Sequence, residues 1–285
     1  MRSPPRAGTT ILLLVLWSGL PEAGAGQWVE RPAEGWADLT LYHHDTQQQY
    51  GREGERGDIP NAGHAVATSV FLTGAVGLVR GVDAWIQIPI HRLRYDDFAG
   101  TRESLGFGDP RVYLRVGPEL FGLPAVPVAL RAGVKWPGGD FDVDAEVIPL
   151  GEGQRDVELL LEVGRSFHPR PLWTMGWIGH RWRAPNVTAA RDPGNELFWY
   201  WAVGGSLGRL GWKGALEGTR GDPWRIQSIL IPTTPRELTQ IFFTADWPVG
   251  PGRLGGGIRV PFQGRNMPAG SAVSVHYFMR WGDGD

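Results

Sequence analysis

Apolar and polar residues alternate one by one through most of this chain, and beyond residue 25 no apolar run approaches the roughly 18 residues that a membrane-crossing helix needs. From Val126 to Trp136, residues Val126, Val128, Leu130, Ala132, Val134 and Trp136 take turns with Pro127, Ala129, Arg131, Gly133 and Lys135. From Asp156 to Gly164, Val157, Leu159, Leu161 and Val163 oppose Asp156, Glu158, Leu160, Glu162 and Gly164. Val273, Val275, Tyr277, Met279 and Trp281 oppose Ala272, Ser274, His276, Phe278 and Arg280 in the same way. Successive side chains of an extended strand point to opposite faces, so each segment meets an oily environment on one side and a polar one on the other. Arg111–Val116, Asp83–Ile90 and Gln240–Trp247 repeat the pattern, and six weaker stretches bring the total to about twelve strands. With 42 Gly, 23 Pro and 14 Trp among 285 residues, many strands and turns are favoured over helix bundles.

The first 25 residues read as an export signal. Arg2 and Arg6 precede the apolar run Ile11 to Leu20, and Ala23, Gly24 and Ala25 supply the small residues that a signal peptidase reads. The run is about half the length of a spanning helix, so cleavage before Gly26 is the expectation. This gives two segments, residues 1–25 as signal peptide and residues 26–285 as one domain. The chain has no cysteine. Disulfide staples, thiolate metal sites, cysteine nucleophiles and a lipidated N-terminal cysteine are therefore all excluded.

An exported chain that enters a membrane without apolar helices has one remaining option, a closed barrel in which every backbone group is paired. Alternation alone also fits a soluble sandwich, so the connections carry the decision. The odd connections, 45–63, 96–108, 137–155, 183–195, 221–235 and 263–270, are each longer than the even ones, 77–80, 117–123, 166–171, 208–210 and 248–252. Short turns at one end and long loops at the other characterise outer-membrane barrels. The expected fold is all-β, a transmembrane antiparallel up-and-down β-barrel of about twelve strands in the cell outer membrane, with both termini periplasmic. Trp136, Trp173, Trp177, Trp182, Trp199, Trp201, Trp247, Tyr277 and Trp281 are candidates for the aromatic girdles at the two membrane interfaces. Packing within a β core is the other reading of the same rings.

Several segments resemble a known family. Gly77-Leu78-Val79-Arg80-Gly81-Val82 followed by Ile86–Ile90, then Gly106-Phe107-Gly108-Asp109-Pro110-Arg111, Gly133-Val134-Lys135-Trp136-Pro137-Gly138-Gly139 and Val260-Pro261-Phe262-Gln263-Gly264-Arg265-Asn266 are similar to the outer-membrane family named for the meta-pathway of phenol degradation. These are turn and strand-end patterns. The resemblance implies a bacterial outer-membrane barrel passing small hydrophobic or aromatic compounds.

The chemistry-bearing residues do not form an enzyme signature. The seven histidines show no metal-ligand spacing, and Gly-x-Ser-x-Gly is absent. A membrane-embedded hydrolase would have to draw on Ser166 or Ser274 with His276. Asp140, Asp142 and Asp144 resemble part of a calcium loop, but Ala145 stands where that loop needs glycine and Gly151 where it needs glutamate. No enzyme activity, metal or cofactor is expected. A net charge of −2 gives no electrostatic reason to expect nucleic acid. The expected partners are outer-membrane lipids and lipopolysaccharide, the barrel-assembly machinery through the C-terminal strand, and a small-molecule solute.

What remains is the inward face. Arg111, Arg115, Arg131 and Lys135 on neighbouring strands should point into the lumen with Asp156, Glu158 and Glu162 on the next strand, making all seven pore-lining candidates. Opposed charges in a wetted lumen would set up a transverse field, whereas pairs such as Arg131 with Glu158 or Glu162 would plug a narrow barrel. Both arrangements fit the sequence. A passive channel and a closed structural or surface-binding barrel both follow from it.

Overall fold

The computed structural model describes residues 29–139, 141 and 147–282. Twelve wall strands form a single antiparallel sheet: β1 (Gly35–Thr46), β2 (His64–Val79), β3 (Val82–Asp97), β4 in two pieces (Gly100–Phe107 and Arg111–Val116), β5 (Val128–Lys135), β6 (Asp156–Ser166), β7 (Leu172–Arg183), β8 (Glu196–Leu207), β9 (Leu210–Gly221), β10 (Glu237–Val249), β11 (Gly252–Arg265) and β12 (Ala272–Trp281). Strand β1 pairs with β2 on one side and with β12 on the other, so the sheet closes on itself. Closure removes the open edges that a lipid solvent cannot satisfy. The signal-peptide residues and Asp140, Asp142 and Asp144 lie outside the described residues.

Side-chain burial follows the two-residue period all the way round. On β6, Asp156, Glu158, Leu160 and Glu162 are buried while Val157, Leu159, Leu161 and Val163 are exposed. On β12, Ser274, His276 and Phe278 are buried while Val273 and Val275 are exposed. The protein therefore wears its oily residues outside and its charges inside, the reverse of a water-soluble domain.

At the end where Gly35 pairs with Trp281, the turns are tight. Arg80-Gly81 joins β2 to β3 and Gly208-Arg209 joins β8 to β9, with Gly81 at φ 77° and Gly208 at φ 63°, values that cost a glycine little. The opposite end carries the longer connections, with one departure from expectation. Residues 96–108 do not form a loop: Gly100–Phe107 is a strand that pairs with the upper part of β3, and only Phe98-Ala99 turns the chain. Arg102, Glu103, Ser104 and Gly106 break the apolar alternation there, so pairing beyond the oily band left no periodic signal.

Strand β4 is interrupted at Gly108-Asp109-Pro110, where the Asp109 carboxylate turns inward. It accepts hydrogen bonds from the backbone N–H groups of Gly138, Gly139 and Glu152. These bonds draw the β5–β6 connection into the barrel. Ile148 and Leu150 of that connection pack with Ile59, Leu93 and Tyr95, an apolar cluster inside the loop-bearing end.

Two of the girdle candidates are misassigned. Trp177 is buried in the lumen, stacked on Tyr200 at 5.6 Å and edge-on to Phe198 at 5.4 Å, and Trp173 packs against the same cluster. Both share a parity with Arg181 and Arg183 on β7, and those charges can only face inward. Trp136, Trp182, Trp201, Trp247 and Trp281 are exposed on the outer surface, and Trp199 and Tyr277 lie on the outward parity of their strands.

Candidate functional site

The lumen has two unlike halves. One, facing β3 to β8, is filled by an ionic lattice. At the end that carries the termini, Arg115 donates from Nη2 to Asp83 Oδ2 at 2.6 Å and reaches Glu162 Oε2 at 3.5 Å, while Arg131 Nε lies 2.8 Å from Glu162 Oε1. The Arg131 guanidinium also lies over the Trp85 ring at 4.5 Å and the Tyr113 ring at 5.0 Å. The next rung is Glu158, held by Arg181 at 2.8 Å, by Arg111 at 3.7 Å and by the Tyr113 hydroxyl, which donates to it at 2.8 Å.

Above it, Lys135 pairs with Asp156 at 2.9 Å, with Asp109 at 3.4 Å and with Glu152. Arg183 bridges Glu152 at 2.5 Å and Glu196 at 3.0 Å, and Arg236 reaches the same two carboxylates. Glu152 belongs to the β5–β6 connection. Burial pushes its carboxyl up, but Arg183, Lys135 and Arg236 together hold it well below the ordinary carboxylate range.

All seven charged residues singled out in the sequence point inward and join this lattice. Arg131, Asp156, Glu158 and Glu162 are 0% exposed and Lys135 is 1% exposed, so no water-sized path touches them. The lattice interlocks seven cationic groups with seven anionic ones, counting Asp83, Asp109, Glu152, Glu196, Arg181, Arg183 and Arg236 with the original seven. Opposite charges in contact attenuate each other over a short distance, so this half fills space and braces the wall.

The other half, facing β9 to β12 with β1, is lined differently. Thr40, His44, Thr244, Ser274 and His276 turn hydroxyls and imidazoles inward among the rings of Tyr42, Phe71 and Phe242. His44 Nε2 contacts the Gly270 carbonyl at 3.1 Å. Arg259 lies over Phe242 at 3.9 Å and donates to Glu217 at 3.2 Å, and Gln240 donates to the same carboxylate at 2.7 Å. These residues are buried to much the same degree as the lattice, with Thr244 and Ser274 at 7% and His44 at 8% beside Arg181 and Arg183 at 7% and Asp109 at 8%. Among the described residues, the interlocked lattice does not extend along this side. Sequence reasoning missed this lining, because hydroxyls and histidines carry no charge signal. The small inward residues of β12, namely Ala272 and Ser274, were the visible hint.

The fold matches known outer-membrane barrels. No sequence-family profile matches the chain. No curated protein matches it by sequence either. Among solved structures, the COG4313 outer membrane channel from Pseudomonas putida F1 superposes with a TM-score of 0.72 at 15% identity, covering 91% of this chain and 100% of that one. The CymD monoaromatic hydrocarbon channel aligns with a TM-score of 0.49 at 6% identity over 88% of this chain and 89% of that one. The translocator domain of the autotransporter NalP from Neisseria meningitidis gives 0.49 at 11% identity over 87% and 88%. The chain thus has the closed twelve-strand barrel fold of the Pseudomonas channel.

Proposed function

We propose that the chain is a passive outer-membrane channel for small molecules, and that solute moves along the side of the lumen formed by β9 to β12 and β1. The observation that carries this reading is the difference in lining: interlocked ion pairs fill the side formed by β3 to β8, whereas hydroxyls, imidazoles and aromatic rings with a few charged groups such as Arg259 and Glu217 line the other. The fold shared with a structure described as an outer membrane channel supports it. Tyr42, Phe71 and Phe242 interleaved with Thr40, Thr244 and Ser274 suit compact solutes with an apolar body and one polar edge, aromatic ones included.

On this reading, Arg111, Arg115, Arg131, Lys135, Asp156, Glu158 and Glu162 shape the passage by occupying the rest of the bore. The protein resides in the outer membrane with both termini in the periplasm. Its outward rings Trp136, Trp199, Trp201, Trp247, Tyr277 and Trp281 sit among lipid and lipopolysaccharide headgroups, and its C-terminal strand meets the assembly machinery.

The test is conductance and solute flux of the purified barrel in planar bilayers and proteoliposomes. Ser274→Trp, which fills the bore on this side, is expected to cut both, while Val275→Trp on the lipid-facing side of the same strand leaves them unchanged. Equal behaviour of the two variants overturns the placement of the passage. The density of the ionic lattice favours one rival, a closed structural barrel, and silence of the wild-type protein toward ionic and aromatic solutes would establish it.

A further inference from the structure

Arg259 on β11 is an interior cation that stands outside the ionic lattice. It is 5% exposed, and among the described residues its carboxylate partner is Glu217 of β9, which accepts from Nε at 3.2 Å. Gln240 of β10 donates to the same Glu217 oxygen at 2.7 Å and helps to hold the acid in place. The two outer nitrogens of the guanidinium are left over. Nη1 and Nη2 form no hydrogen bond with a described residue, and neither is sealed in by protein, so the open end of the fork faces the bore.

The surroundings of that fork are apolar and flat. The guanidinium lies over the Phe242 ring of β10 at 3.9 Å and over the Tyr42 ring of β1 at 5.7 Å. Gly257, two residues earlier on β11, keeps the place clear: a side chain there would come within 3.0 Å of the Phe242 ring and 2.6 Å of Thr244. The neighbours across β12 are short as well, with Ala272 paired to Arg259 and Ser274 paired to Tyr42. Small residues beside a long cation leave a hollow in front of its free nitrogens. Two parallel N–H donors in one plane match the two oxygens of a carboxylate, and the rings beside them suit a flat apolar body. Glu217 stands close by and repels a second negative charge, so a monoanion fits where a phosphate ester does not.

We propose that Arg259 is a carboxylate-binding residue inside the barrel and that its ligands are small aromatic monocarboxylates, held by Nη1 and Nη2 with their rings against Phe242 and Tyr42. As a statement about what crosses the membrane this rests on the channel reading, whereas the binding site stands without it. The pair with Glu217 sets the strength of the hold: it aims the guanidinium through Nε and competes with an incoming carboxylate for the same charge.

Benzoate is the probe, with benzamide as its uncharged counterpart. Ligand-detected NMR titrations of the full-length barrel compare wild type, Arg259→Gln, Arg259→Lys and Glu217→Gln, with heat-modifiable gel mobility as the check on folding, and single-channel recording follows interruption of the ionic current by benzoate. Wild type is expected to bind benzoate saturably and benzamide poorly. Arg259→Gln removes the charge-assisted bonds and is expected to weaken benzoate by about tenfold or more. Arg259→Lys keeps the charge without the fork and falls between the two. Glu217→Gln removes the competing acid and tightens binding, a gain that a purely structural role for the ion pair does not produce. Benzoate affinity unchanged in Arg259→Gln, or lowered in Glu217→Gln, overturns the site. Equal binding of benzoate and benzamide by wild type also overturns it, and that comparison together with Glu217→Gln decides the matter if Arg259→Gln fails to fold. Benzoate held through Arg259 in a barrel that passes no current overturns the channel reading and leaves the site standing, and a conducting barrel indifferent to Arg259 does the reverse.

Discussion

Arg131 and Glu162 face each other across the β5–β6 neighbourhood with Nε 2.8 Å from Oε1, and neither residue has any exposed surface. Taking two charges out of water is expensive, and the pair persists because attraction at short range offsets that cost. Losing one partner leaves the other charged in a dry site. Glu162→Leu is therefore expected to destabilise the barrel by about 3–5 kcal/mol, whereas Arg131→Met with Glu162→Leu recovers much of the loss. Equilibrium urea unfolding in lipid vesicles measures both.

Glu152 ties the β5–β6 connection to Lys135, Arg183 and Arg236. Because its carboxyl is held well below the ordinary value of 4.5 in the folded protein, it contributes stability that is present above that value and lost as pH falls through the depressed one. The connection is expected to stay docked at pH 5 and above and to release only in acid well below pH 4.5. Glu152→Gln at neutral pH should mimic the acid state. Limited proteolysis within residues 137–155 reads both effects, and a variant as resistant as wild type contradicts the assignment.

Leu161 stands on the lipid-facing side of β6, opposite Leu130 of β5 and Ile178 of β7, and all three are exposed. Placing arginine there sets a charge in hydrocarbon. Leu161→Arg is expected to cost roughly 2–4 kcal/mol, and Leu207→Arg, exposed on the outward parity at the very end of β8, only about 0–1 kcal/mol, in folding into bilayers. Equal costs would show that this face does not meet lipid tails.

Much of the architecture was legible because lipid enforces the period of two wherever a strand crosses it. Asp156, Glu158 and Glu162 can be assigned to the interior from spacing alone, and of the two acids that the spacing offers Arg131, Glu158 or Glu162, the structure pairs it with Glu162. The period fails where the solvent on both faces is water. Gly100–Phe107 extends past the oily band and reads as loop, although it pairs residue by residue with β3. The rings of Trp173 and Trp177 were ambiguous because tryptophan suits both an interface and a packed interior, and only the parity of Arg181 and Arg183 resolves them. The division of the lumen into a side braced by ion pairs and a side lined by hydroxyls and imidazoles lay beyond reach, because it depends on which strands face each other across the bore.

The contact between Arg115 on β4 and Glu162 on β6 skips the strand between them. Neighbouring strands lie about 4.8 Å apart, so a strand two places away is within the combined reach of an arginine and a glutamate that share a face. Side-chain length at such positions decides how many strands one acid can brace: Glu162→Asp would give up the reach to Arg115 without shifting any backbone pairing, while the girth of the tube stays with its strand number and stagger.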